Sequence, residues 1–198
     1  MVSNRPKAPL RKLMGPGPLD IHPRVYQALT SPIIGYLDPA YLKILDQVGD
    51  QLRKVFQTRN RTTNAAPGTG TSGMEACVAN LIEPGDKILV CVHGYFGDRL
   101  RQMVERQGAQ LTLIEEEWGK PTDPQKVEAA LKADAYKVIT LVHAETSTGV
   151  LQPMDDIVKL AAKYGVMILL DTVTSLGGIE VKMDEWGLDA AYSCSQKC

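Results

Sequence analysis

The chain has 198 residues, 44% of them hydrophobic and 23% charged, with a formal net charge of −1. That is enough chain to bury the core of one large domain or two small ones. Lys and Arg are interspersed with acids rather than gathered into a basic face, and no apolar run approaches the ~20 residues that cross a bilayer, so neither nucleic acid nor membrane is an expected partner.

The N-terminal "MVSNRPKAPLRKLMGPGP" is basic but lacks the apolar core of a signal peptide. It reads as a solvated arm over residues 1–20, an organelle-import segment being the alternative. A short helix near 24–29 follows, then a longer one near 39–56, where Leu42, Leu45, Val48, Leu52 and Phe56 recur at three- and four-residue steps. From residue 62 the pattern alternates. "TTNAA" (62–66), "KILVCV" (87–92), "QLTLIE" (110–115), "KVITLVHA" (137–144), "VMILLD" (166–171) and "AAYSCS" (190–195) read as strands. Between them, 72–82, 97–107, 124–133 and 154–164 read as helices. Continuous apolar strands separated by amphipathic helices predict an α/β fold of three layers, with a mostly parallel sheet and active groups on loops at the strand ends.

Cys77, Cys91, Cys194 and Cys198 lack metal-ligand spacing, and His22, His93 and His143 are too dispersed for a metal site. Cys77 and Cys91 fall in apolar elements and read as reduced core residues. An intracellular protein is expected, cytoplasmic in the first instance, with peroxisome or mitochondrion open for a eukaryotic source.

The string Gly68-Thr69-Gly70-Thr71-Ser72-Gly73 fits G-x-G-x-x-G, the fingerprint of a dinucleotide loop. That use calls for an acid at the end of the next strand to hold the ribose, and "KILVCV" runs instead into His93 and Gly94. The loop still suits a phosphate: small residues admit an anion to backbone N–H groups, and a helix start supplies a positive dipole end. A plain Gly-rich turn has the same composition.

Two distant residues bear on the choice. Asp171 closes an apolar strand beside a Thr/Ser-rich loop, where a half-desolvated carboxylate needs a cationic or protonated partner. Lys197 stands just beyond another strand among neutral neighbours, where a lysine can become a nucleophilic amine. Taken singly, they read as a strand-end cap and a solvated lysine. Together with an anion cradle they meet three needs of pyridoxal phosphate: a lysine for its carbonyl, an acid for its ring nitrogen and donors for its phosphate. Tyr95 and Phe96 of "HGYFGDR" offer an aromatic face for the ring.

"LMGPGP", "GTGTSGMEA", "NLIEPGD", "GYFGDR", "HAETSTGVLQP", "LLDTVTSLGG" and "YSCSQK" occur in this order from about residue 13 to 197. In this the sequence resembles the fold-type I, class V aminotransferases of the alanine–glyoxylate and serine–glyoxylate group. The resemblance implies that Lys197 forms the internal aldimine and Asp171 pairs with the pyridine nitrogen. It implies that Thr69, Gly70 and Thr71 hold the phosphate, with Gln196 a further phosphate contact. Phe96 would stack on the ring, Val173 would pack its opposite face, and Thr146 would stand near the phenolic oxygen. It further implies that 21–198 is part of a cofactor-binding large domain. The C-terminal small domain, with the arginine that clamps the substrate carboxylate in relatives, lies beyond this sequence.

The expected activity is transamination from a small amino acid, alanine or serine, to the 2-oxo acid glyoxylate, in a homodimer. Lys197 would move a proton between the donor's α-carbon and the cofactor, and Asp171 would stabilise the carbanion through the protonated ring. The alternatives are 3-hydroxykynurenine transamination, a desulfurase or lyase reaction on the same cofactor, and an inactive fragment or a non-catalytic binding module. Phe96, standing where desulfurases carry a His, argues against the desulfurase.

Overall fold

The computed structural model describes residues 8–197; residues 1–7 of the expected arm and Cys198 lie outside the described residues. Helix α1 (Pro23–Leu29) and helix α2 (Pro39–Phe56) each place a proline in the first turn, where the missing N–H has no partner to lose. Each is capped by the residue before it: His22 accepts from Arg24 N, and Asp38 accepts from Ala40 N at 2.8 Å. Beyond them come α3 (Gly70–Leu81), β1 (Lys87–Val92), α4 (Tyr95–Arg106), β2 (Gln110–Glu115), α5 (Pro124–Ala133) and β3 (Val138–Val142). A short pair, β4 (Ala144–Glu145) and β5 (Val150–Leu151), precedes α6 (Asp155–Tyr164), β6 (Met167–Asp171) and β7 (Ala190–Tyr192).

Five strands form one sheet in the order β2-β1-β3-β6-β7, with every neighbouring pair parallel. Side chains alternate between two cores. On one face Ile88, Val90, Val92, Val138 and Leu169 meet Met74 and Val78 of α3 and Leu100 and Val104 of α4. On the other, Leu89, Cys91, Ile139, Leu141, Ile168 and Leu170 meet Val127 and Leu131 of α5 and Ile157 and Ala161 of α6. Helices therefore cover both faces, which is why the central strands read as unbroken apolar runs. Because β2 and β3 flank β1 on opposite sides, the connections diverge there and leave a crevice at the carboxyl ends of β1 and β3.

Three expectations need correction. No strand forms over 62–66. "TTNAA" has no large apolar side chain to bury, and local bonds hold it instead: Thr62 N donates to Asn60 Oδ1 at 2.9 Å and Thr63 Oγ1 donates to Asn60 O at 2.8 Å. The strand expected at 190–195 ends at Tyr192, beyond which Ser193 Oγ donates to Thr172 O at 3.2 Å in place of a ladder bond. The strand expected to run through Ala144 ends at Val142. His143 then bridges two segments, donating to Asp171 O and accepting from Gln152 N, and 144–151 turn back as the antiparallel β4–β5 hairpin.

Leu141 sits fully buried on β3, opposite Leu170 of β6. Leu141→Ala is expected to cost about 2–5 kcal/mol of stability, read as a lower denaturation midpoint with an unchanged denaturant slope.

Candidate active site

The glycine loop leads directly into α3. Thr69 is its N-cap, and a reciprocal capping box joins Thr69 and Ser72: Ser72 N donates to Thr69 Oγ1 at 3.4 Å and Thr69 N donates to Ser72 Oγ at 3.3 Å. Those two hydroxyls are turned back onto the helix, so the amides of Gly70 and Thr71 stand at its open, positive end. Glycine at 70 is demanded by proximity. A Cβ there would lie 2.7 Å from Cys194 Sγ and 3.3 Å from Val173 Cγ2, so α3 touches the loops that follow both β6 and β7. With no strand over 62–66, the G-x-G-x-x-G string also lacks the strand–loop–helix setting that a dinucleotide site needs.

Asp171 ends β6 and is 3% exposed. Its Oδ1 accepts from Val173 N at 2.9 Å and its Oδ2 accepts from the Tyr192 hydroxyl at 2.7 Å. Burial pushes its pKa up to about 6; the Tyr192 and Val173 hydrogen bonds and the Lys197 charge oppose that rise, and the Glu145 charge adds to it. The strand register sets Tyr192 directly beside Asp171.

Past β7 the chain carries Lys197 into the same crevice, 8% exposed. Its Nζ donates to Thr146 Oγ1 at 2.5 Å and to Thr174 Oγ1 at 3.1 Å, and lies 5.5 Å from the centre of the Phe96 ring. Gly17 covers the lysine stem: a Cβ on it would come 3.1 Å from Lys197 Cγ. Leu19 N donates to Gln196 O at 3.0 Å, fastening the "GPGP" segment over the lysine loop. The Gln196 side chain accepts from Cys194 Sγ and so stands next to the thiol that abuts Gly70.

Phe96 lies in the first turn of α4, half-buried, edge-to-face with Tyr95 at 5.3 Å. One turn on, the Arg99 guanidinium stands 5.3 Å from the Phe96 ring centre and donates to Thr71 Oγ1 at 3.0 Å, tying α4 to the first turn of α3. Gly94 precedes α4 and offers no side-chain cap, and buried Glu145 supplies one from β4. Its Oε2 accepts from Phe96 N and Gly97 N, both at 3.1 Å, and its Oε1 accepts from Ser147 Oγ at 2.7 Å. Ser147 Oγ in turn accepts from Tyr95 N at 2.9 Å. A Cβ on Gly94 would fall 2.3 Å from Glu145 Cγ, so the glycine makes room for the cap.

The structure thus gathers Thr69, Gly70, Thr71, Phe96, Thr146, Asp171, Val173, Gln196 and Lys197 at the carboxyl edge of the sheet. It adds Tyr192, Glu145, Arg99 and Thr174, which the sequence reading missed. All four lie inside the quoted motifs, but each acts through a partner distant in sequence, so nothing local marks it as a site residue. The set fits pyridoxal phosphate. Open amides at a position closed to any Cβ suit its phosphate, a buried carboxyl suits its ring nitrogen, and Phe96 and Val173 offer apolar surface to its ring. The Lys197 amine suits its carbonyl.

Residues 37–198 match the family model for Aminotransferase class-V, and the chain belongs to that family. It is 40% identical to the (S)-ureidoglycine–glyoxylate transaminase of Bacillus subtilis, over 96% of this chain and 46% of that protein. With the alanine–glyoxylate aminotransferase of Drosophila melanogaster it shares 39% identity, over 100% of this chain and 50% of that one. The solved alanine–glyoxylate aminotransferase from Nostoc sp. superposes with a TM-score of 0.95 at 45% identity, covering 99% of this chain and 52% of that structure. The chain spans about half the length of these relatives.

Asp171 titrates near pH 6 in the fold, against 3.8 for an ordinary aspartate, so the folded chain holds an extra proton between those values and the ionised carboxyl costs stability above them. In cofactor-free protein, Asp171→Asn is expected to raise the unfolding free energy by about 1–3 kcal/mol at pH 8. That gain should vanish below about pH 4, in denaturation series run across pH. A gain that stays constant with pH would show that the carboxyl carries no such burial cost.

Proposed function

We propose that this chain is the cofactor-binding part of a pyridoxal-phosphate-dependent aminotransferase that delivers the amino group of a small amino acid to glyoxylate. The observation that carries the reading is the convergence of one buried acid and one buried amine on the open end of α3. Asp171 and Lys197 come from neighbouring parallel strands and reach the same crevice. When bound, pyridoxal phosphate supplies an electron-withdrawing ring that makes the donor's α-carbon acidic.

The protein's own groups do the rest. The amides of Gly70 and Thr71 hold the phosphate, with Thr71 kept in place by Arg99. Asp171 keeps a proton on the ring nitrogen, which its desolvated position makes more effective than a carboxylate in water. Phe96 and Val173 confine the ring between apolar surfaces and exclude water. Lys197 would hold the cofactor at its carbonyl, and the Lys197 Nζ, once free, would take the proton from the donor's α-carbon. The Thr146 and Thr174 hydroxyls, 2.5 Å and 3.1 Å from Nζ, fix where that amine waits.

Glyoxylate as acceptor is supported by the names of the Bacillus, Drosophila and Nostoc relatives, all of which use it. The donors in those names are alanine and ureidoglycine, so alanine stands first here, with serine, the other small donor expected from the sequence, and ureidoglycine beside it. A homodimer is supported by the N-terminal region, where Leu29 of α1, Ile33, Tyr36 and Leu37 of the connection and Leu42 of α2 are exposed in a stretch too apolar to remain wet.

Borohydride reduction of the full-length protein followed by peptide mapping is expected to find the cofactor on Lys197. Label at another lysine would refute the assignment. Lys197→Ala should abolish turnover and leave weaker, non-covalent cofactor binding through the α3 cradle.

With glyoxylate as acceptor, a screen of amino donors is expected to rank alanine and serine above aromatic donors. Good turnover with 2-oxoglutarate and poor turnover with glyoxylate would move the protein to another subgroup while leaving the cofactor assignment standing.

A further inference from the structure

We infer that Tyr192 is a positioning residue for this chemistry: its hydroxyl sets the orientation of the Asp171 carboxylate and sustains its charge. The inference rests on the reading of Asp171 as the partner of the ring nitrogen.

Tyr192 ends β7 and pairs in register with Asp171 at the end of β6, so the ladder itself brings the two side chains together. The tyrosine is 5% exposed, packed in the core under α3. Its ring is held from the helix side as well, since a Cβ on Gly73 would come 3.3 Å from Tyr192 Cβ. The hydroxyl therefore has little freedom, and it donates to Asp171 Oδ2 at 2.7 Å. Val173 N occupies Oδ1. With one donor on each oxygen, turning the carboxyl plane breaks a hydrogen bond, and one lone pair on each oxygen stays open for a further N–H donor.

The tyrosine is also a donor that does not switch off. Burial and the adjacent Asp171 charge push its own ionisation well above the ordinary tyrosine value, so the phenol keeps its proton across the working range. The other titratable groups that feel Asp171 are Cys77 of α3, Glu145 of β4, and Cys194 and Lys197 beyond β7. Both thiols are pushed up by burial and stay neutral. The Lys197 charge also favours the carboxylate, whose hydrogen bonds come from Tyr192 and Val173. Only the Tyr192 contact can be removed by substitution without touching the backbone.

The test is a pH series of cofactor titrations in the full-length protein, following the visible absorbance of added pyridoxal phosphate. The parent, Tyr192→Phe, Asp171→Asn and the double variant are compared. Loss of a hydrogen bond to a charged group predicts about 10-fold weaker binding for Tyr192→Phe near pH 5, where the carboxyl must ionise to bind, and a much smaller change at pH 8. It also predicts that the acid limb of the binding profile moves up by about one pH unit. On the Asp171→Asn background the same change should alter affinity by less than about two-fold, because the hydroxyl acts through the carboxylate. 3-Fluorotyrosine at 192, a stronger donor of nearly the same shape, should move the limb down and keeps the test valid if Tyr192→Phe folds poorly by its melting temperature. An unmoved limb, or an equal loss on both backgrounds, would overturn the inference and leave Tyr192 as core packing. If Asp171→Asn itself changes neither affinity nor its pH profile, the role of Asp171 falls and this inference with it.

Discussion

Asp171 is buried at the end of β6, and a carboxyl so placed must find donors inside the protein or give up its charge. The neighbouring architecture answers that requirement. β7 pairs with β6 in the register that delivers the Tyr192 hydroxyl, and the turn after β6 delivers the Val173 amide. α3 must then come close enough to roof the acid, which it does by presenting glycine twice, at 70 against Cys194 and Val173 and at 73 against Tyr192. The same approach sets the open end of the helix over the strand ends. One buried acid thereby links sheet register, helix packing and an anion-binding corner.

How far the residues announce this depends on the range of each interaction. Apolar runs such as "KILVCV" and "VMILLD" mark strands buried on both faces, and the three-layer fold follows from their alternation with amphipathic helices. Asp171 and Lys197 show themselves as polar residues at the tips of such runs. Tyr192 does not, because an aromatic residue ending a strand looks like any core residue until the neighbouring strand and its register are known. The strand expected over 62–66 does not form, because its two threonines serve a local turn around Asn60. "SCS" after Tyr192 likewise offers no bulk to bury, and the ladder stops there.

Glu145 shows a second kind of silence. Cap signals are sought next to the helix they serve, and α4 begins at a glycine with nothing adjacent to cap it. The acceptor comes from the β4–β5 hairpin, far along the chain, and it reaches the Phe96 and Gly97 amides because Gly94 leaves room. One carboxylate therefore joins the aromatic wall to the segment that carries Thr146. The angle of the Phe96 ring and the position of the Thr146 hydroxyl are set together, so neither can be shifted without disturbing the other.

The turn at Gly17 rests on the stem of Lys197, and Leu19 is bonded to Gln196. These partners are separated by nearly the entire sequence. Closing so long a loop costs chain entropy that only interactions formed earlier can offset, so this contact belongs late in folding. A chain emerging from the ribosome can assemble α4 against β1 and β3 while the turn at Gly17 has nothing to rest on. The anion corner rests on Tyr192 and Cys194 and the lysine seat on Gly17, so both halves of the site wait for the same last stretch of chain and are finished together.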